Sequence, residues 1–427
     1  MRKPIPRLRW WIGGLLFLST VINYIDRQTF SVLGPFLQRE YHWSNSDFAS
    51  ILIAFRLTYT AMQGLGGRFI DVLGTRLGLS LTVTFYSTVA TLTTFAQGLW
   101  GFRIFRGLLG AGEGPNWPGA TKTVSEWFPD SERAWAVALF DSGSSIGGAV
   151  APFLVLFLYH HFGTWRPVFI CTGLLGFAWV ILWRVMYRKP EDHPRLSPEE
   201  LTLIRSGQAN VASAAVEAPP SWRELLRYKQ AWGIIIGRTL LDPYWFFVSD
   251  WFAIFLASKG FGLERSALGF WAPFLAADIG NFFGAALSSF WIRRGWAVGR
   301  SRRTVLLLFG PGMLLLIPAA FTTSYALSIG LFAWSTFAYA ACATMFLSLP
   351  ADVFPSRAVA SISGLSGTGA GLGTLLSTWL IGHYSDRLSF QPVVIVASLI
   401  PCLATLVFVT MVRAPRKPDP NGIVLDF

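Results

Sequence analysis

Twelve times along its 427 residues the chain runs apolar for long enough to cross a bilayer, which takes about 20 residues of α-helix. The runs lie near 10–36, 48–70, 78–97, 101–121, 134–159, 166–186, 231–257, 267–291, 304–322, 325–349, 359–381 and 391–412. Hydrocarbon offers no partner to a backbone N–H or C=O, so each segment must satisfy its own polar groups, as a helix does. The expected fold is an all-α membrane protein with twelve transmembrane helices, the fourth and tenth interrupted by Gly and Pro. Composition agrees: 53% of residues are hydrophobic and only 14% charged, against roughly a quarter charged in a soluble domain.

The net charge of +12 raises the question of a nucleic-acid partner, and its distribution answers it. With the N-terminus inside, 25 of the 35 Lys and Arg fall on the cytoplasmic side, the asymmetry that sets membrane orientation and attracts anionic lipid. No nucleic acid is needed. Both termini are expected to be cytoplasmic. The basic leader MRKPIPRLR lacks a cleavage site and reads as a retained signal-anchor. A polar, Pro/Ser/Ala-rich linker (187–230) separates an N-terminal six-helix bundle (1–186) from a C-terminal one (231–412), with a cytoplasmic tail at 413–427. One short surface helix is expected in the linker at Ser197–Arg205, started by a Ser-Pro cap. Cys171, Cys342 and Cys402 sit in apolar spans without paired spacing and read as small core residues. No HExxH or Walker pattern occurs, so no enzyme, metal or cofactor is expected.

The halves repeat. EWFPDSERAWAVALFDSGSSIGGAVAP (126–152) and DVFPSRAVASISGLSGTGAGLGTLLST (352–378) share an acid, Phe-Pro, Arg-Ala and a Gly-rich helix. Gly143 and Gly147 lie 10 and 14 residues after Arg133, and Gly367 and Gly371 lie at the same offsets from Arg357. GxxxG spacing puts both glycines on one helix face and admits a close neighbour. Two same-orientation repeats of six spans suit a transporter whose bundles rock about a midplane site.

Charges inside the spans are the candidate site. Each ionised group near the bilayer centre costs roughly 2.5–3.5 kcal/mol on insertion scales. Asp26 and Arg27 are adjacent and point about 100° apart, so they do not pair face to face. Both then need partners on other helices or in water: a structural ion pair, or a carboxylate-binding fork at Arg27 with Asp26 exchanging a proton. Arg106 and Glu113 are seven residues apart and share a face, with Glu113 among Gly110, Gly112, Gly114, Pro115 and Pro118. Irregular backbone of that kind is tolerated at membrane depth when packed in protein or lining a watery cavity. Arg56 lies three residues before Tyr59; either Asp141 neutralises it or it steers an anion. Arg238 and Asp242 are spaced for an i,i+4 ion pair. Asp278 and Asn281 are polar on a small, apolar face and are candidates to line a cavity. In GRFIDVLGTR, Gly74 suits a tight turn and Asp71 can accept from a helix N-terminus or a cation. With Gly67, Arg68 and Arg76 it reads as a cytoplasmic gate latch.

The chain resembles the major facilitator superfamily, and within it the anion:cation symporters, bacterial hexuronate transporters most of all. The resemblance rests on NYIDRQ, GRFIDVLGTR, RGLLGAGEGPNWPGA, EWFP…ERA…FDSGSSIGGAVAP, LLDPYWFF, PFLAADIGNFFG with IRRG, and LPADVFPSRAVASISGLSG. It implies two pseudo-symmetric six-helix bundles and proton-coupled uptake of an organic monoanion, a hexuronate or related sugar acid, by a protein expected to be monomeric. It further implies Tyr24, Arg27, Tyr59 and Arg106 as substrate contacts and Asp26 and Glu113 as proton carriers, with Arg106 beside Glu113 as its partner or as a second anion contact. The chain departs from the family at Val72, Thr75, Asp141 and Ser289, and in span 7, where DWFAI (250–254) replaces FWLPK. Alternatives are another organic anion on the same fold (aldonate, aromatic acid or small dicarboxylate) or a non-transporting membrane sensor.

Overall fold

The computed structural model describes residues 3–206, 218–260, 267–385, 390–413 and 422–425; Asp250, which the sequence leaves unexplained, has a side chain outside the described set. The described residues form helices without strands. In chain order these are α1 (Leu8–Tyr41), α2 (Asn45–Leu73), α3 (Thr75–Leu92), α4 (Gly98–Glu113), α5 (Asn116–Trp127), α6 (Asp130–Phe162), α7 (Arg166–Met186), α8 (Pro198–Ser206), α9 (Trp222–Leu225), α10 (Lys229–Ser258), α11 (Ala267–Arg293), α12 (Val298–Phe309), α13 (Ile317–Phe321), α14 (Tyr325–Val353), α15 (Ser356–Ser385) and α16 (Phe390–Met411). Taking α4–α5 and α12–α13 as broken single passes and setting aside the short α8 and α9, they make twelve passes. By length and composition alone, eight of these are apolar enough to cross a membrane. The ones that fall short carry buried polar groups, such as Asp71 on α2, Ser80 and Ser87 on α3, Arg106 and Glu113 on α4, and Arg238 on α10.

Two breaks differ from expectation. The fourth pass is interrupted at Gly114–Pro115, as its sequence suggests. The tenth, α14, is continuous: Pro350 stands in its last turn, where the lost N–H costs one hydrogen bond and the ring leaves the body of the helix intact. The ninth is broken instead. Pro311 and Pro318 remove two donors, and residues Pro311–Leu316 tighten into a 3₁₀ stretch between α12 and α13.

The chain divides into two compact units. Unit 1 comprises Met1–Pro129, Leu139–Ala209 and Val359–Leu365; unit 2 comprises Asp130–Ala138, Asn210–Ala358 and Ser366–Phe427. The start of α6 thus belongs to unit 2, and one stretch of α15 belongs to unit 1.

Glycines set the helix spacing inside unit 1. A Cβ on Gly143 would stand 2.6 Å from the Phe17 carbonyl oxygen, and one on Gly147 would stand 2.5 Å from that of Val21, so α6 lies directly on α1. Gly110 on α4 and Gly114 just past its end face α2 at the Phe55 and Tyr59 carbonyls (2.3 and 3.0 Å), and the Thr58 hydroxyl donates across to the Gly107 carbonyl at 2.7 Å. Unit 2 uses the same device. There the contacts with α10 fall at Gly369 and Gly373, against Thr239, two residues beyond the positions that offset matching singles out. Helix α15 packs with a register of its own.

The linker helix lies on the surface, as expected, with only Glu200 and Ile204 buried. Ser197 Oγ caps it, accepting from the Glu200 N–H at 3.1 Å, but the Glu200 carboxylate reaches away to α1. It accepts from the Leu8 and Arg9 N–H groups at 3.0 and 3.1 Å and pairs with the Arg9 guanidinium at 2.7 Å, all buried. Orphan donors at a helix start attract an anion; here the linker supplies it.

Candidate functional site

The site is assembled in unit 1 by the glycine contacts just described. Helix α6 holds α1 where Arg27 meets α4, and α2 lies against α4 with Phe55 and Tyr59 beside the same guanidinium. Arg27 donates to Glu113 Oε2 through Nη2 (2.9 Å) and Nε (3.2 Å), and Nη2 also reaches Asn23 Oδ1 at 3.2 Å. The rings of Tyr24, Tyr59 and Phe55 lie 4.7, 4.8 and 5.0 Å from its guanidinium carbon, close enough for cation–π attraction. The Arg27 side chain keeps 22% of its surface exposed while that of Glu113 is sealed at 0%. The result is a cation with an aromatic collar, a carboxylate behind it and an open side.

Arg106 is placed differently from expectation. The ion pair forms between α1 and α4 rather than within α4, although spacing alone puts Arg106 and Glu113 on one face. The Arg106 side chain is buried, its guanidinium 4.8 Å from Phe55 and 4.9 Å from Phe30, with one long contact from Nη2 to the Arg27 carbonyl (3.4 Å). Asp26 is 2% exposed and points away from the collar, toward Thr172 on α7, with Glu113 and Arg106 as its charged neighbours. The structure therefore brings Tyr24, Arg27, Tyr59 and Glu113 together and sets Asp26 and Arg106 behind them.

Asp141 lies near enough to Tyr24 to act on its hydroxyl; Arg56 is half-buried on α2. In unit 2, Arg238 and Asp242 form the anticipated i,i+4 pair at 2.7 Å, and Arg238 also reaches Ser366 Oγ at 3.2 Å. Asn281 is buried and accepts from the Thr344 hydroxyl at 2.8 Å, while Asp278 is half-buried.

Asp71 is buried at the end of α2. It takes the Lys122 ammonium at 2.9 Å and the Ser361 and Ala360 N–H groups at 2.7 and 3.3 Å. A Cβ on the adjacent Gly67 would stand 2.1 Å from the Ala360 carbonyl oxygen, so only glycine admits α15 here. Gly74 adopts φ 78°, Arg76 donates to the Arg184 carbonyl at 2.7 Å, and Arg68 is half-buried.

Three features escaped sequence reasoning. Phe55 reads as one more apolar residue, yet stacks on Tyr59 and faces both arginines. Arg302 lies in a basic run that reads as loop charge, yet it is fully buried and donates to Asp352 Oδ2 (2.9 Å) and Ser288 Oγ (2.7 Å). Arg133 joins the same cluster through the Ala351 carbonyl (2.8 Å) and Asp352 (3.4 Å). The acid preceding Val-Phe-Pro and Trp-Phe-Pro in the two repeats was the available signal: Asp352 anchors this cluster, and Glu126 takes Thr75 and Tyr187 in unit 1.

A family model described as the Major Facilitator Superfamily matches residues 16–378. The chain belongs to that superfamily. It is accordingly a multi-pass membrane transporter of small organic molecules, not an enzyme, and its fold is the superfamily's two pseudo-symmetric bundles of six helices. The Escherichia coli (strain K12) hexuronate transporter is 34% identical over 426 residues, covering 98% of this chain and 96% of that protein. The Dickeya chrysanthemi galacturonate transporter is 34% identical over 362 residues, 83% of this chain and 99% of that protein. Among solved structures, the proton:xylose symporter XylE bound to 6-bromo-6-deoxy-D-glucose superposes with a TM-score of 0.72 at 14% identity, covering 95% of this chain and 96% of that one. The human organic anion transporter MFSD10 gives 0.69 at 15% identity, with 94% and 99% covered.

Proposed function

We propose that this transporter is a proton-coupled symporter that imports a hexuronate or related sugar acid by alternating access, in a bacterial inner membrane with both termini cytoplasmic. The observation that carries the reading is the partly open Arg27 guanidinium, collared by aromatic rings and held by one oxygen of a sealed Glu113. A planar guanidinium fork matches a carboxylate, and the hydroxyls of Tyr24 and Tyr59 offer donors and acceptors to a polyol chain. Relatives named as hexuronate, galacturonate and D-galactonate transporters, and one named as a probable galactarate/D-glucarate transporter, support a sugar-acid substrate.

Charge arithmetic supplies the coupling. Without substrate, Arg27 and Glu113 neutralise each other. A substrate carboxylate that took Arg27 while Glu113 stayed ionised would leave an unpaired buried anion, which is costly. A proton on Glu113 removes that cost, so anion and proton load together and the occupied site is again neutral. Asp26 stands behind as a second acid. Asp71 with Lys122 and the α15 N–H groups acts as a latch that forms and breaks as the protein changes state.

Uptake competition in cells producing the protein, with glucuronate, galacturonate, galactonate and an aromatic acid as competitors, tests the substrate class. Hexuronates are expected to compete best and Arg27→Ala to abolish uptake. Preference for the aromatic acid, or undiminished uptake in Arg27→Ala, overturns the assignment.

A further inference from the structure

Behind the Arg27–Glu113 pair, unit 1 buries a group of polar side chains that no protein atom satisfies. Asn23 Nδ2, both oxygens of Asp26, the Tyr86 hydroxyl, Arg106 Nε and Nη1, Glu113 Oε1 and the Thr172 hydroxyl are all sealed and lack a hydrogen-bond partner. Each of these residues is at most 2% exposed. They come from α1, α3, α4 and α7, and they face one another. The charges acting on Tyr86 are those of Asp26 and Glu113. Glu113, Arg106 and the Thr172 hydroxyl all lie close enough to act on Asp26, and Asn23 lies close enough to act on Glu113.

Glycines again explain the meeting. A Cβ on Gly112, the residue before Glu113, would stand 2.8 Å from Tyr86 Cβ, and one on Gly173, the residue after Thr172, would stand 3.0 Å from the Ser87 carbonyl oxygen. Helix α3 is thus drawn against α4 on one side and α7 on the other, and Tyr86 is held between Glu113 and the Asp26–Thr172 contact. Buried polar groups in native proteins are satisfied, and where protein atoms do not reach them ordered water does. In a bilayer-embedded interior this requirement is stricter still.

We propose that Asn23, Asp26, Tyr86, Arg106, Glu113 and Thr172 enclose a buried water-binding chamber inside unit 1. Water held there, together with the Tyr86 hydroxyl, relays a proton between Glu113 at the substrate site and the sealed Asp26. A proton released from Glu113 Oε1 passes to the first oxygen of the chain, which gives up one of its own to the next. Each water and the tyrosine hydroxyl gain and lose one proton, and the last goes to an Asp26 carboxylate oxygen. Only the two carboxylates change charge. Tyr86 acts as a positioning residue and does not touch substrate.

The proposal rests on the proton-coupled reading above. The full-length protein in liposomes is assayed with labelled glucuronate in two modes: counterflow exchange, which needs no net proton movement, and accumulation driven by an inward proton gradient. Tyr86→Phe and Thr172→Val each remove one hydroxyl with little change of volume. Both are expected to leave counterflow within about twofold of the parent while reducing gradient-driven accumulation by about tenfold or more, the scale of a lost proton-transfer group. Accumulation equal to the parent in both variants overturns the chamber. So does a matched fall in accumulation and counterflow in both, which shows a packing role alone. If the unsubstituted protein shows counterflow but no gradient-driven accumulation, the proton-coupled reading itself fails, and the relay with it.

Discussion

Arg27 meets Glu113 through two nitrogens on a single carboxylate oxygen, and three rings fix the plane of its fork. This geometry separates the role of charge from that of shape. Arg27→Lys keeps the charge but loses the planar fork and the stacking. Charge-assisted bidentate contacts are worth about 1.5–3 kcal/mol, so uptake efficiency in the lysine variant is expected to fall about 10–100-fold, with Arg27→Ala lower still. Equal uptake by the lysine variant and the parent in initial-rate measurements would show that charge alone suffices. Conversely, replacing Arg106 by Lys removes no contact with the open side of the collar, since Arg106 lies behind it, fully enclosed.

At the scale of helices, small residues decide where the chemistry stands. Gly147→Ala places a methyl 2.5 Å from the Val21 carbonyl oxygen and 2.9 Å from Tyr24 Cβ. Overpacking of this kind costs about 1–3 kcal/mol. The variant is expected to melt earlier in detergent and to bind substrate more weakly, because α1 carries both Tyr24 and Arg27; an unchanged melting temperature contradicts this packing. Glu200→Ala strips α1 of its anionic cap and removes the carboxylate that pairs with Arg9, and is expected to cost about 1.5–3 kcal/mol, the scale of a hydrogen bond to a charged group. Glu200→Gln, which keeps acceptor and donor, is expected to lose less; identical melting of the two variants contradicts the cap. Helix count and the special character of α4 were legible in the sequence, because span length and Gly/Pro content are local properties. Partners across helices were not. Arg27 and Glu113 are 86 positions apart, Arg302 is indistinguishable from its basic neighbours until it is seen to be buried, and the Ser-Pro start at Ser197 announces a helix without revealing that the Glu200 carboxylate serves another helix. The family resemblance implied Arg106 as partner of Glu113 or as a second anion contact, whereas in the structure Arg27 on α1 takes that carboxylate.

Across the molecule, the first part of the linker is fastened to unit 1, and this attachment is expected to depend on pH. His193 packs edge-on against Trp127 and meets the Met186 carbonyl through Nε2 at 3.1 Å. Burial, aided by Arg188 and Arg195, holds its imidazole below the ordinary range, about 6.5. The docked segment therefore prefers the neutral ring: docking is at full strength above that value and weakens as pH falls through and below it. Limited proteolysis between residues 187 and 206 is expected to speed up on acidification, and His193→Phe to remove the dependence; a rate that falls on acidification contradicts it. At the proposed substrate site, Glu113 and a substrate carboxylate would compete for Arg27, with a proton deciding between them. The most direct test of this competition is the affinity of the purified protein for glucuronate as a function of pH, measured by calorimetry beside Glu113→Gln. Affinity for the parent is expected to weaken as pH rises, while the glutamine variant binds with nearly constant affinity across the same range. A parent protein whose affinity is indifferent to pH, or a glutamine variant that retains the parent's full pH dependence, would contradict the competition.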